Sequence, residues 1–110
     1  MKRLLAFLLL AVLVLSLSAC GRRNTDALTV VVEISGRTVA RLPLKEDTEL
    51  EITGVGGTNH LIIREGAAWI SSADCKNQIC VNTGRIDGKS LLGMITCLPH
   101  EVVVYLEEKP

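Results

Sequence analysis

The stretch LTVVVEISGRTVARL, residues 28–42, decides the fold class of this chain. Two runs rich in β-branched residues flank the dipeptide Ser35-Gly36, and a two-residue connection with glycine between such runs is typical of a β-hairpin. We therefore predict that residues 28–34 and 37–42 pair as antiparallel strands.

Strand-like segments continue toward the C-terminus, and turn residues separate them. In TELEIT the apolar residues Leu50 and Ile52 alternate with glutamates, which is the period of a half-buried strand. The fold class we predict is all-β, a small sandwich or open barrel of six to seven short strands. Trp69 is expected in the core rather than on a ligand platform, and His60 on the solvated face of its strand. The remaining strand-like segments are residues 48–53, 59–64, 67–71, 90–98 and 102–106.

The N-terminal segment has the pattern of a signal peptide. Lys2 and Arg3 precede fourteen uncharged residues, LLAFLLLAVLVLSL, which end at Leu17. As a helix this run would be about 21 Å long, short of the roughly 30 Å hydrocarbon core of a membrane. The pattern therefore favours a cleaved leader over a membrane span.

The residues that follow, LSACG, resemble the bacterial lipobox, in which an aliphatic residue and two small residues precede an acylated cysteine. This resemblance implies a lipoprotein signal peptide over residues 1–19, with Cys20 as the lipidation site. Residues 20–27 would be the lipidated cysteine and its tether. Two acyl chains anchor a protein stably, so we predict a cell-membrane location on the extracytoplasmic face. The alternative is an ordinary secretory signal with a coincidental cysteine.

Composition excludes several function classes. Twelve basic residues balance twelve acidic ones, and aromatic residues make up only 3% of the chain, which does not suit a nucleic-acid partner. About ninety residues remain after the leader, too few for a large substrate cleft with a full catalytic apparatus. The segment GVGGTN lacks the Lys-Ser/Thr of a phosphate loop, so it predicts a turn between strands.

Three further cysteines, Cys75, Cys80 and Cys97, allow at most one internal disulfide and leave one thiol over. If residues 74–83 form a helix, the Cα atoms of Cys75 and Cys80 lie about 8–9 Å apart, beyond the usual disulfide limit of about 7 Å. Cys97 would then pair with one of them. Loop-closure entropy is about 3 kcal/mol for either choice, so both pairings stay open.

The run DCKNQICVNTGRIDGKSLLGMITCLPHEVVVY resembles the C-terminal signature of the NusG domain II-like family, a DCPDKxCVxTGxI segment followed by IxCLPxxVVxxI. The resemblance covers residues 28–107 and departs from the pattern at Lys76, Arg85 and His100. It implies a compact β domain over residues 28–108 with one short helical turn around Cys75–Thr83. By this resemblance the chain is identified as a stand-alone bacterial lipoprotein member of the family.

Two functional hypotheses follow. The favoured one is a non-catalytic binding or interaction module with structural cysteines, no cofactor, and an unknown protein or small-molecule partner. The alternative is a metal-binding or thiol-redox accessory protein, because three thiolates and an imidazole can bind zinc or an iron–sulfur cluster. The spacing C-x₄-C is wider than that of the common zinc motifs. The four candidate metal ligands are Cys75, Cys80, Cys97 and His100.

Overall fold

The computed structural model describes residues 1–17, 25–90 and 93–108. The uncharged N-terminal run forms helix α1, Lys2–Leu17, and a 3-10 turn covers Thr25–Ala27. Within the described part of the chain, no helix is both long enough and apolar enough to cross a membrane. Cys20, the predicted site of acylation, lies outside the described residues.

The described residues form eight strands and one further short helix, α2. Strands β2-β1-β8-β7 make one antiparallel four-stranded sheet, and strands β3-β4-β5-β6 make the other. Both sheets contribute to one core, so the predicted small β sandwich is confirmed. The elements are β1 Leu28–Ile34, β2 Arg37–Pro43, β3 Thr48–Gly54, β4 Gly57–Arg64, β5 Ala67–Ala73, α2 Ile79–Asn82, β6 Ile86–Asp87, β7 Met94–Cys97 and β8 Val102–Glu108.

The first hairpin is the one that the sequence predicts. Ile34 pairs with Arg37, and the turn between them places Ser35 at φ 51° and Gly36 at φ 78°. Two successive positive φ angles give the connection a twist that matches the twist of the flanking strands. Strand β1 also pairs along its whole length with β8, so the first and last strands form the centre of their sheet.

The described residues form eight strands against the predicted six to seven, and the additional one is β6. Strand β6 has only two residues and exists because Ile86 and Asp87 pair with the start of β5. Within the described part of the segment expected to be extended over residues 90–98, the strand covers Met94–Cys97. Both short strands depend on neighbours that are distant in sequence, which a local pattern does not reveal.

Residue alternation along β5 explains where Trp69 lies. Ala68 and Ile70 are buried on the core face, so the intervening Trp69 points to the opposite face and is only partly buried. The guanidinium of Arg85 lies 4.8 Å from the centre of the indole ring, a cation–π distance. The prediction of a core position for Trp69 is therefore wrong. His60 is partly exposed, with its Nε2 atom 3.6 Å from Glu49, as predicted for a solvated strand face.

Candidate functional site

Three cysteines from separate segments meet inside the sandwich, and we call them the cysteine centre. Cys75 lies on the loop after β5, Cys80 on α2, and Cys97 at the end of β7. Their Sγ atoms all lie within 4.8 Å of one another, and those of Cys75 and Cys80 are 3.7 Å apart. None of the three residues is more than 5% exposed. The structure thus brings together three of the four predicted metal-ligand candidates.

The local fold that brings Cys75 to Cys80 is a left-handed turn rather than a long helix. Helix α2 begins only at Ile79, and Gln78 before it has φ 54° in the left-handed region. The Gln78 side chain holds this turn, because its Nε2 donates to the carbonyl oxygens of Ala73 at 2.7 Å and of Cys75 at 2.6 Å.

This turn corrects the extent of the predicted helix. The helical turn near Cys80 is present, but it does not include Cys75. The Cα separation expected from helix geometry therefore does not apply, and a bond between these two cysteines is not excluded by distance. All three cysteines of the centre are free thiols in the structure, so the single disulfide and its pairing stay predictions.

A chain of three polar side chains, Asn59, His100 and Asp74, connects the cysteine centre to the surface. Asn59 on β4 is 0% exposed, and its Nδ2 donates to Cys80 Sγ at 3.4 Å. Its Oδ1 lies 2.7 Å from His100 Nδ1, and His100 Nε2 lies 3.1 Å from Asp74 Oδ1. Asp74 is 65% exposed in its side chain, so the chain of contacts ends in solvent.

His100 lies beside the cysteine centre rather than among its sulfur atoms. The residue is 3% exposed, and both nitrogens of its ring already have partners in Asn59 and Asp74. Its backbone N–H instead donates to the Sγ atom of Cys97. The imidazole therefore positions Asn59, and any ligand role for His100 would require both ring contacts to rearrange.

Sequence reasoning missed Asn59 and Asp74 as site residues. A signal was present, because Asp74 is the first residue of the run that resembles the family signature, and Asn59 lies within residues 28–107 that the resemblance covers. Their contact with His100 spans 41 and 26 positions along the chain. Only the packing of the two sheets reveals it.

The glycine-rich segment is a turn, as predicted, and it packs closely on the polar chain. Val55 and Gly56 connect β3 to β4, and the Val55 N–H donates to the His100 carbonyl at 2.9 Å. A Cβ atom on Gly57 would overlap both the His100 ring and the Asp74 carboxylate. The absence of a side chain at Gly57 is thus what allows the polar chain to reach Asn59.

The environment separates the acidities of two of the thiols. Burial raises the pKa of Cys80 to about 12, and hydrogen bonds with the sulfurs of Cys75 and Cys97 act in the same direction. Burial also acts to raise the pKa of Cys97, but hydrogen bonds from the Asn59 side chain, the His100 backbone and the other two cysteines together lower that pKa. Negative charge is therefore held better at Cys97 than at Cys80.

A shallow depression lies at the solvent end of the polar chain. Its volume is about 340 Å³, and Asp74, His60 and Glu51 contribute ionisable groups to its lining. The Thr58 N–H donates to Asp74 Oδ1 at 2.9 Å, which holds the carboxylate at the edge of β4. The depression does not open onto the sulfur atoms, because Asn59 and His100 lie between them and Asp74.

We expect the three thiols of the centre to react slowly with iodoacetamide in the native protein. Each is at most 5% exposed, so the reagent must wait for a local opening of the fold. Labelling of Cys75, Cys80 and Cys97 can be followed by peptide mass spectrometry, and the same protein in urea gives the reference rate. A native thiol of this set that reacts at the unfolded rate would contradict the buried arrangement.

The fold and the site together define a class, a small antiparallel β-sandwich module with a buried three-cysteine centre and a polar chain leading to it. The sequence profile of NusG domain II matches residues 4–110. The chain belongs to the NusG domain II family, which confirms the resemblance found in the sequence.

Solved structures show the same fold. A DUF1312 family protein from Ruminococcus gnavus is 34% identical, with 73% of this chain and 97% of that chain covered and a TM-score of 0.64. A DUF1312 family protein from Enterococcus faecalis is 20% identical, with 76% and 99% covered and a TM-score of 0.68. The Lin0431 protein from Listeria innocua is 24% identical, with 77% and 100% covered and a TM-score of 0.65. The comparison with curated proteins finds no significant match.

Proposed function

We propose that this chain is a membrane-anchored extracytoplasmic lipoprotein. Its NusG domain II module would be a non-catalytic binding or interaction domain with structural cysteines. The basic start, the uncharged run and the LSACG segment support the anchor, with Cys20 as the acylated residue. A diacylglyceryl group would hold the module at the outer face of the cell membrane.

The observation that carries the non-catalytic assignment is the burial of the cysteine centre. Its nucleophilic sulfurs lie in the core and contact Asn59 and one another, out of reach of a bulky substrate. A structural role suits this placement, because sulfur atoms at the junction of both sheets and α2 fill core volume. The partner would then be a protein or small molecule bound on the module's surface. Near-neutral charge disfavours a nucleic acid.

The anchor predicts a defined mass for the protein extracted from membranes. Intact mass spectrometry should show a chain that begins at Cys20 and carries two acyl chains on a glyceryl group. The Cys20→Ser variant should keep residues 1–19 and lose the lipid, whereas Cys97→Ser should be processed like the wild type. A wild-type chain without lipid, cut at another residue and released from the membrane, would overturn this part of the proposal.

A second candidate function, a metal-binding or thiol-redox accessory protein, is favoured by one observation, the convergence of three sulfurs within 4.8 Å. Thiol exchange with a partner protein requires an accessible thiolate. Burial of all three sulfurs weighs against that version. Metal binding needs no large opening, because an ion is small, and it is the version of this candidate that the geometry supports better.

A further inference from the structure

Two of the three sulfurs of the cysteine centre accept hydrogen bonds from nitrogen, and an amide nitrogen lies near the third. Gln78 Nε2 lies 3.8 Å from Cys75 Sγ while it donates to the carbonyl oxygens of Ala73 and Cys75. Asn59 Nδ2 donates to Cys80 Sγ at 3.4 Å. Cys97 Sγ accepts from the His100 backbone N–H and from Asn59. A neutral thiol in a core does not need such donors, whereas N–H groups around sulfur stabilise thiolates that bind a metal.

The distances between the sulfurs are close to those between three thiolates bound to one ion. Thiolates bound to a metal at about 2.3 Å in a trigonal plane lie about 4 Å from one another. The sulfurs of Cys75 and Cys80 are 3.7 Å apart, and no pair exceeds 4.8 Å. A disulfide needs about 2.05 Å and would leave the third sulfur unused. Bringing all three sulfurs to one ion requires smaller shifts than that bond does.

The number and type of donors select the ion. The cluster offers three soft sulfur ligands, and the nearest imidazole, His100, is held by Asn59 and Asp74. Zinc in a structural site takes four protein ligands, whereas the part of the chain that the structure describes brings three to this cluster. Monovalent copper prefers thiolates and is stable with three of them.

We propose that the cysteine centre binds one Cu(I) ion in trigonal coordination through Cys75, Cys80 and Cys97. This inference deepens the second candidate function and is independent of the lipid anchor. Binding releases one proton from each thiol to solvent and involves no change in oxidation state. The bound site carries two net negative charges, which the N–H donor of Asn59 offsets in part.

Asn59 is a positioning residue in this site rather than a ligand. Its Nδ2 reaches Cys80 because its Oδ1 is held by His100, which is itself held by Asp74. Loss of such outer contacts costs about 10- to 100-fold in metal affinity. Asn59→Ala should therefore weaken Cu(I) binding by about 10- to 100-fold. The bound ion should keep three sulfur neighbours. A purely structural role for Asn59 would not predict this spectroscopic result.

The test uses the full chain, purified from membranes in detergent under anaerobic, reducing conditions. Cu(I) is titrated in competition with bathocuproine disulfonate, and we expect one ion per chain. Cys80→Ser should lose more than about 100-fold in affinity, because it removes a ligand rather than an outer contact. Cys20→Ser is the matched control, since it removes a cysteine outside the centre, and it should bind as the wild type does.

X-ray absorption of the wild-type complex tests the proposal without any variant, so it also decides the case in which a cysteine variant fails to fold. We expect three sulfur neighbours at roughly 2.3 Å and no nitrogen neighbour. Failure to compete for Cu(I), a Cys80→Ser affinity equal to that of the wild type, or a nitrogen in the first shell would each overturn the proposal. Binding of zinc with four ligands and a higher affinity than that for Cu(I) would also overturn the proposal. The mass of the lipidated chain, measured on the same preparation, reports separately on the anchor.

Discussion

Replacing Gly57 by alanine is expected to destabilise the domain by about 3 kcal/mol, the upper end of the cost of overpacking a core. The added Cβ would overlap the His100 ring and the Asp74 carboxylate. The ring cannot move aside cheaply, because His100 is buried and both of its nitrogens are engaged. In a domain of this size the loss corresponds to a fall in Tm of about 12 °C or more, measurable by circular dichroism.

Gly36→Ala is the matched control for this substitution. Gly36 has φ 78°, so alanine there is strained, but a Cβ on Gly36 meets nothing within 4 Å. We expect a cost of about 1 kcal/mol, the backbone term alone. Equal losses in the two variants would show that the close approach of Gly57 to the polar chain contributes nothing, and would contradict the packing described for the β3–β4 turn.

Asn59→Ala is expected to cost about 3–4 kcal/mol in the free energy of unfolding. Asn59 is fully buried and contacts three polar partners, His100 Nδ1 and the sulfurs of Cys80 and Cys97. Each buried group left without a partner costs about 1–3 kcal/mol, and a small cavity adds to the loss. Urea unfolding should show a lower midpoint with an unchanged m-value.

Asn82→Ala serves as the control for Asn59→Ala. Asn82 is exposed at the end of α2, so its replacement should change stability by no more than about 0.5 kcal/mol. A loss of less than about 1 kcal/mol in Asn59→Ala would mean that His100 and the sulfurs find other partners. The polar chain would then not be a stabilising feature of the core.

Much of the fold was predictable because it depends on local patterns. The β-branched runs on both sides of Ser35-Gly36 predict the first hairpin, and the alternation around Ile52 predicts β3, since burial of one sheet face imposes a period of two. The CVNT and CLPH segments carry the family resemblance, which comparison with known proteins confirms. The small β sandwich follows from these features.

Two predictions were wrong because burial and loop geometry in the folded chain decide these positions. Trp69 is apolar and was expected inside, but the alternation set by Ala68 and Ile70 places it on the outer face, where Arg85 covers it. The helix near Cys80 was expected to include Cys75, but the left-handed conformation of Gln78 delays its start to Ile79. The side chain of Gln78 stabilises that turn through carbonyls that only the folded loop brings within reach.

The sequence by itself determined the all-β class, the first hairpin and the cysteines as the residues of chemical interest. Tertiary structure alone decided that Cys75, Cys80 and Cys97 meet without His100, and that Asn59 links that histidine to the sulfurs. The physical reason is the range of the interactions. Strand period and turn chemistry act over a few residues, whereas the side chains of the site come from different strands and loops and meet only when two sheets close on one core.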